Sequence, residues 1–277
     1  MKNIIITGSE GFVANNFIKA CSNDFLIVSL PKSKGYDITN FSTMQGINEN
    51  FDVLINCAAG FGNNDIDDMI CNEQVNSIGC LNICKMALKC NCKHIINLSS
   101  IFSLQKNTKI NSYGLSKKHG DDNIILFCNK YQIDYSILNI SQIYDDFGEA
   151  KRHQKILYQF INTILKDDTV KIFGKNNPKR NFIHIADVIE IIKRIIDYSV
   201  FGQFNVIYPR SYSILEIIDI IGEVVGIRPK KEILLDKENI QEYYIPEDLS
   251  LYEIINYSPQ IDLLVGINRI IKNNEKV

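Results

Sequence analysis

The stretch Asn3-Ile4-Ile5-Ile6-Thr7-Gly8-Ser9-Glu10-Gly11-Phe12-Val13-Ala14 decides the fold of this chain. It joins a short apolar run to two glycines and then to an amphipathic pattern that continues to Cys21. The apolar run predicts a buried parallel strand, and the amphipathic pattern predicts a helix. Gly8 permits a tight turn between them, Gly11 lets backbone approach a pyrophosphate, and Ala14 keeps the helix close to the strand.

This glycine turn is a candidate dinucleotide site. A helix that begins behind such a turn directs its free N–H groups towards bound phosphates. The cofactor-binding residues predicted in the turn are Gly8, Ser9, Glu10, Gly11, Phe12 and Val13. A glycine motif alone has low specificity. Its position directly after a strand strengthens the prediction, and so does the catalytic pattern that follows later in the chain.

The catalytic pattern consists of one serine, one tyrosine and one lysine. Ser100 ends an apolar run, and Tyr113 is followed four residues later by Lys117. On a helix, Tyr113 and Lys117 lie one turn apart on the same face. A phenol titrates near pH ~10, and a neighbouring ammonium is expected to lower its pKa. With Ser100 hydrogen-bonding the reacting oxygen, these candidate catalytic residues could interconvert a carbonyl and an alcohol.

Each of the three residues also has a structural alternative. Ser100 could cap a turn, Tyr113 could be a half-buried aromatic residue, and Lys117 could be a solvated helix charge. Their occurrence together, behind a glycine turn, favours the catalytic interpretation.

The first half of the chain alternates apolar strand candidates with helical patterns. Strands are predicted at Phe25–Leu30, Val53–Cys57, Ile95–Leu98 and Ser136–Ile140, and helices from Phe12, from about Glu73 to Lys89 and from about Ser112 to Lys130. This alternation predicts an α/β fold of the Rossmann type, with a doubly wound parallel sheet. Gly8 and Ser100 each follow or end a strand, so both candidate sites fall on the same edge of the sheet.

The second half changes character and predicts a smaller lobe. Helices are predicted at about Lys151–Leu165, Ala186–Tyr198 and Leu215–Val225, with strands at Val170–Phe173 and Phe204–Ile207 and a capping box formed by Ser213 and Glu216. We predict an NAD(P)-binding Rossmann domain over residues 1–145. A small substrate-binding lobe over residues 146–277, partly interleaved with that domain, would leave the substrate cleft between them.

Four segments of the chain together carry a family resemblance. They are the glycine turn, Asn56-Cys57-Ala58-Ala59, the Ser100/Tyr113/Lys117 set and Arg180-Asn181-Phe182-Ile183-His184-Ile185-Ala186-Asp187-Val188. Through them the chain resembles the extended short-chain dehydrogenase/reductases, in the NAD-dependent epimerase/dehydratase branch that acts on nucleotide sugars. The resemblance runs nearly end to end. It implies that Lys117 both holds the nicotinamide ribose and lowers the pKa of Tyr113.

The resemblance extends the predicted cofactor contacts beyond the glycine turn. They are Lys32, Asp37, Ile38, Ala58 and Ala59, together with Tyr113 and Lys117. An acidic residue at the end of the second strand would bind a ribose 2′-hydroxyl and repel a 2′-phosphate. The chain has Lys32 and Lys34 in that region instead, so NADP(H) is favoured over NAD(H). Two solvated loop lysines are the alternative.

The predicted substrate-binding residues are Ser100, Gln142 and Arg180. The resemblance implies that Arg180 binds the diphosphate of the substrate, a task that suits a planar bidentate donor. The alternative for Arg180 is a solvated surface charge. Gln142 lies where the family has the entry to its substrate loop, and the sequence departs from the family pattern there.

The residue after Ser100 makes dehydratase activity an unfavoured prediction. Dehydratases of this branch place an Asp-Glu pair there, whereas this chain has Ile101. We therefore predict NAD(P)H-dependent reduction of the C4 ketone of a nucleotide-linked 4-keto-6-deoxyhexose, and the short run before Asp37 is typical of such reductases. One alternative is a nucleotide-sugar 4-epimerase with tightly bound NAD. The other is a non-catalytic dinucleotide-sensing protein.

Bulk properties exclude several other classes of protein. The 277 residues carry a formal charge of −2, with 45% hydrophobic residues and no basic block. Neither nucleic acid nor a membrane is therefore an expected partner, and a cytoplasmic location is expected. Eight cysteines without paired C-x-x-C spacing indicate reduced thiols, and no metal is predicted. The resemblance implies a homodimer through the helices that flank Tyr113.

Overall fold

A parallel β-sheet forms the core of the first of the two compact units in this computed structural model. The structure describes residues 1–274. The first unit comprises residues 1–140, 189–206 and 250–256. The second comprises residues 141–188, 207–249 and those from 257 onwards.

The sheet of the first unit has six strands. They are β1 (Asn3–Thr7), β2 (Leu26–Leu30), β3 (Val53–Asn56), β4 (His94–Ser100), β5 (Asp134–Ile140) and β10 (Gly202–Val206). Their order is β10-β5-β4-β3-β1-β2, and all neighbours run parallel. The predicted Rossmann-type fold is confirmed. β4 is longer than predicted because Ser99 and Ser100 continue its pairing with β5.

Helices of the first unit connect these strands. They are α1 (Phe12–Cys21), α2 (Ile66–Glu73), α3 (Gly79–Lys89), α4 (Ser112–Tyr131), most of α6 (Ile185–Tyr198) and α8 (Ser250–Ile254). The helix predicted from about Glu73 begins earlier because the Asp65 carboxylate caps it, accepting a hydrogen bond from the N–H of Asp68 at 3.1 Å. A π-helical turn, Gln74–Ile78, joins α2 to α3.

Strand burial and register show which edge of the sheet carries aligned polar residues. Ile4, Ile5 and Ile6 of β1 are fully buried, as expected for a parallel sheet covered on both faces. The register pairs Thr7 with Asn56, and Asn56 with Asn97. Polar residues near the carboxyl ends of three adjacent strands are therefore aligned.

The second unit contains short two-stranded sheets and three helices. The strands are β6 (Gln142–Tyr144), β7 (Val170–Phe173), β8 (Lys179–Arg180), β9 (Phe182–His184), β11 (Tyr212–Ser213) and β12 (Lys231–Leu234), and the helices are α5 (Lys155–Leu165), α7 (Ile214–Val225) and α9 (Leu263–Asn274). β6 pairs with β9, β7 with β12 and β8 with β11. The capping box predicted for α7 is confirmed. α5 begins later than predicted because a 3₁₀ turn covers Glu149–Arg152.

Within residues 1–274, no helix is long and apolar enough to cross a bilayer. All eight cysteines are free thiols, of which Cys71 is exposed.

Candidate active site

The glycine turn after β1 has the backbone geometry that a bound pyrophosphate requires. Gly8 has φ +61°, and a Cβ there would lie 2.7 Å from the backbone of Ala58. The N–H of Gly11 donates to the carbonyl of Gly8 at 2.8 Å. Gly11 is also the N-cap of α1 and has no side-chain cap, which leaves first-turn N–H groups available to a ligand. The turn therefore fits a dinucleotide, although the contacts predicted for its individual residues stay predictions.

The predicted catalytic residues all lie in the first unit. Ser100 ends β4 and is buried, and Tyr113 lies in the first turn of α4. The Lys117 side chain is buried, and its Nζ donates to the carbonyl of Leu98 at 2.8 Å. This burial rules out the alternative that Lys117 is a solvated helix charge.

The pKa of Tyr113 departs from the sequence-based expectation. Burial raises it well above its ordinary value, a hydrogen bond with Ser100 opposes the rise, and the charge of Asp121 adds to it. The sequence predicted a lowered pKa, because Lys117 was expected to act directly on the phenol. In the structure the ammonium hydrogen-bonds to Leu98 instead, and burial lowers its own pKa.

A chain of buried polar side chains links three strands to α4. Thr7 Oγ1 donates to Asn56 Oδ1 at 2.7 Å, and Asn56 Nδ2 donates to Asn97 Oδ1 at 2.8 Å. Asn97 Nδ2 then donates to Asp121 Oδ1 at 2.8 Å. The second Asp121 oxygen accepts from the hydroxyl of Ser99. The sequence pattern does not reveal this hydrogen-bond network, although Asp121 follows Lys117 by four residues and so shares its helix face.

Two asparagine side chains fix a loop that places the ring of Phe61 over Tyr113. The Asn76 side chain accepts from the N–H of Gly60 at 2.9 Å, and the Asn72 side chain accepts from the N–H of Gly62 at 2.8 Å. Phe61 lies between these glycines and stacks on Tyr113 with a centroid separation of 4.5 Å. The position of Phe61 is not evident from the sequence, because the amides that fix its loop come from α2 and the π turn.

Carboxylates offset the lysines that follow β2. Lys32 Nζ lies 3.1 Å from a carboxylate oxygen of Asp37. The Glu10 carboxylate reaches the same loop and accepts from the N–H of Ser33 at 3.1 Å, and hydrogen bonds from Ser33 lower its pKa. Two carboxylates therefore lie in or against the loop that carries these lysines.

The other predicted cofactor residues differ in exposure. Ser9 is buried, whereas Phe12, Val13, Ala58 and Ala59 are half-buried. The Ile38 side chain is buried in the apolar core, and its carbonyl accepts a hydrogen bond from Asn82 Nδ2 at 2.7 Å.

The predicted substrate residues Gln142 and Arg180 belong to the second unit. Gln142 Nε2 donates to Gln154 Oε1 at 2.9 Å. Arg180 is 2% exposed, donates to the carbonyls of Lys179 and Gln241 at 2.8 and 2.6 Å, and lies over the ring of Tyr243. The alternative that Arg180 is a solvated surface charge is therefore wrong. Diphosphate binding by Arg180 stays a prediction.

This fold and this site define a Rossmann-type protein with a Ser/Tyr/Lys set. The chain belongs to the NAD dependent epimerase/dehydratase family, whose family profile matches residues 4–207. The family resemblance predicted from the sequence is confirmed.

Curated relatives match over most of their length. A putative UDP-glucose 4-epimerase from Methanocaldococcus jannaschii is 28% identical over 306 aligned positions, covering 99% of each chain. A UDP-glucuronate 4-epimerase from Thermodesulfobacterium geofontis is 25% identical, covering 85% of this chain and 76% of its own.

Solved structures share the fold. RMD from Pseudomonas aeruginosa complexed with NADPH has a TM-score of 0.83 at 14% identity and covers 100% of both chains. UDP-glucose 4-epimerase from Thermotoga maritima with UDP-glucose has a TM-score of 0.79 at 18% identity and covers 99% of both. At these identities the similarity establishes the fold alone.

Gly8→Ala tests the glycine turn. We expect coenzyme affinity to fall by about ten-fold or more, because the new Cβ would push Ala58 and strain a left-handed residue. NADH and NADPH titrations followed by fluorescence measure the affinity. Gly35→Ala is the matched control, since Gly35 has φ +90° but a Cβ added there would meet no atom within 4 Å. Equal losses of affinity in the two variants would contradict the assignment.

Proposed function

We propose that the chain transfers hydride at C4 of a nucleotide-linked hexose, with Ser100, Tyr113 and Lys117 as its catalytic set. One observation carries the proposal: the glycine turn and Ser100 lie at the carboxyl ends of β1 and β4, and Tyr113 and Lys117 lie on α4 of the same unit. Open parallel sheets bind their ligands at that edge. The full-length relative named as a putative UDP-glucose 4-epimerase supports a nucleotide-linked hexose as substrate.

The proposed mechanism assigns one role to each side chain. Ser100 would hydrogen-bond the C4 oxygen, and Tyr113 would exchange a proton with it. Because burial raises the pKa of Tyr113, the phenol is protonated at neutral pH and can donate to a C4 ketone. Removing a proton from a C4 alcohol requires the phenolate. The hydrogen bond of Ser100 would stabilise it, and the charge of Lys117 would do so through space, since its ammonium donates to Leu98. A bound nicotinamide supplies or accepts the hydride.

Two net reactions could use this set. We propose a 4-epimerase as the first candidate, because relatives that match over most of both chains are named 4-epimerases. Reduction of a 4-keto-6-deoxyhexose, predicted from the sequence, is the second candidate. The segment between β2 and β3 favours it, since that segment contains only two short 3₁₀ turns, Lys32–Lys34 and Phe41–Met44.

Each of the two candidate reactions is proposed with its own coenzyme. We propose NAD(H) for the epimerase, because Asp37 pairs with Lys32 and the Glu10 carboxylate lies against the same loop. An anion approaching Lys32 or Lys34 would meet these carboxylates, which weakens its attraction. The NADP(H) preference predicted from Lys32 stays a prediction and belongs with the reductase.

One assay separates the two reactions. We expect the purified protein to interconvert UDP-glucose and its C4 epimer without net change in absorbance at 340 nm, because an epimerase returns the hydride it removes. Sugar products are resolved by chromatography. In parallel, NADPH and NADH are supplied with dTDP-, GDP-, CDP- and UDP-linked 4-keto-6-deoxyhexoses. Stoichiometric loss of absorbance with one of these sugars would establish the reductase instead.

Tyr113→Phe tests whether the chain is a catalyst. We expect turnover to fall by about 100-fold or more, because no other assigned group exchanges the proton. Coenzyme affinity, measured by fluorescence titration, should change by less than about three-fold, since the ring and its stacking on Phe61 remain. Tyr131→Phe, at the far end of α4, is the matched control. Unchanged turnover in Tyr113→Phe would contradict the role given to Tyr113. Coenzyme binding without turnover of any sugar tested, in the wild type and in Tyr113→Phe alike, would favour a non-catalytic dinucleotide-sensing protein.

The second unit is proposed to carry the substrate contacts. The role of Arg180 in diphosphate binding is proposed from the family resemblance. Two carbonyls fix the orientation of its buried guanidinium, so a diphosphate would have to bind the N–H groups that these carbonyls leave. Gln142 is proposed as a further contact. The first unit, with the glycine turn, is proposed to hold the coenzyme.

A homodimer is proposed through the helices that flank Tyr113. Ile70, Ile78 and Leu81, on the α2–α3 segment, are about half exposed, and Leu126 of α4 is 71% exposed. Burying such side chains against a second copy would be favourable. Light scattering of the purified protein should therefore give about twice the 31.7 kDa mass of the chain. A mass of one chain across micromolar concentrations would contradict this proposal.

A further inference from the structure

We propose that Asp121 is a positioning residue that holds Lys117 in its charged form and in place along β4. The inference rests on the proposed function, because it takes Lys117 as part of the catalytic set. Asp121 itself is not assigned any contact with substrate or coenzyme.

The geometry joins both side chains to three consecutive residues of β4. Asp121 accepts from Asn97 Nδ2 at 2.8 Å and from the hydroxyl of Ser99. Lys117 Nζ donates to the carbonyl of Leu98, between those two residues, at 2.8 Å. Asp121 and Lys117 are one helical turn apart on α4. The carboxylate and the ammonium are therefore fixed together against the same strand.

Burial makes the charge of Asp121 important for the protonation of Lys117. The exposed fractions of Asp121 and Lys117 are only 3% and 4%, and burial favours the neutral form of an isolated ammonium. Cys80 of α3 and Cys57 after β3 also face Lys117, but burial raises the pKa of each thiol to about 12, so they carry no charge at neutral pH. Asp121 is thus the anionic neighbour that favours the protonated form of Lys117.

The charge of Asp121 opposes folding at neutral pH. Burial is the main cause that raises the pKa of Asp121 to about 6, against hydrogen bonds from Ser99 and Asn97 and the charge of Lys117, while Asp122 raises it slightly. The folded chain therefore binds this proton more tightly than the unfolded chain does. The associated stability is present at low pH and is lost as the pH rises through about 6. A charge retained against this trend is expected to serve the site rather than the fold.

Asp121→Asn removes the charge while keeping the shape. Its amide oxygen can accept from Asn97, and its NH₂ can donate to Ser99, whose hydroxyl accepts as well as donates. Asp122→Asn is the matched control. It removes the same charge from the next residue of α4, where the carboxylate is 59% exposed and pairs with Lys118 at 2.7 Å.

The first readout is the titration of Lys117 itself. NMR of the full chain with ¹³Cε-labelled lysine, assigned with Lys117→Met, gives the pKa of the Lys117 ammonium. We expect Asp121→Asn to lower it by about one pH unit or more, and Asp122→Asn to leave it nearly unchanged. This measurement needs no sugar substrate, so it decides the inference even if the wild-type chain turns over none of the sugars tested.

The second readout compares the effect of Asp121→Asn on kcat with its effect on KM. With a wild-type substrate in hand, Asp121→Asn should lower kcat by about ten-fold and leave KM within about three-fold. The wild-type kcat should increase as the pH rises through about 6, and this step should be missing in the variant. Urea unfolding at pH 7.5 should show Asp121→Asn at least as stable as the wild type.

Three results would overturn the proposal. One is a Lys117 titration that is the same in Asp121→Asn and Asp122→Asn. Another is an unchanged kcat with an unchanged pH profile. The third is an Asp121→Asn chain that unfolds more easily than the wild type or does not fold, because the charge would then serve the structure.

Discussion

An ammonium group held almost entirely out of water is the constraint on which the active-site region depends. The carbonyl of Leu98 accepts a hydrogen bond from the Lys117 ammonium, and the charge of Asp121 favours its protonated form. Helix α4 must therefore pack tightly on both sides of Lys117. A Cβ at Gly114 would lie 2.2 Å from the carbonyl oxygen of Phe102, and one at Gly120 would lie 2.0 Å from that of Asn76. Glycine allows this approach, so backbone contacts fix the position of α4.

The register of the sheet links the surroundings of Lys117 to the strand that precedes the glycine turn. Thr7, Asn56 and Asn97 are paired in register, and their side chains form one continuous row of hydrogen bonds that ends on Asp121. A one-residue slip in any of these strands would turn a polar side chain to the other face of the sheet and break the row. The strand that precedes the glycine turn and the helix that carries Tyr113 and Lys117 are therefore held by one buried network.

The sequence predicted features that depend on local pattern. The alternation of strands and helices, the glycine turn and the one-turn spacing of Tyr113 and Lys117 are all readable within a few residues. Features that depend on distant partners were missed. A carboxylate such as Asp121 normally indicates a solvated helix face, and only the packing of α4 on β4 reveals that it is buried. The raised pKa of Tyr113 has the same origin, because burial is produced by tertiary packing.

The loop around Phe61 has an evolutionary consequence. Its backbone is fixed by the amides of Asn72 and Asn76, which also donate to Ser112 and Ser116 of α4 at 2.8 and 3.0 Å. The loop shape is therefore encoded outside the loop. Since the Phe61 side chain is 59% exposed, that position can drift without changing the backbone around it. Substitutions at position 61 can therefore change the surface beside Tyr113 while the loop backbone and α4 stay as they are.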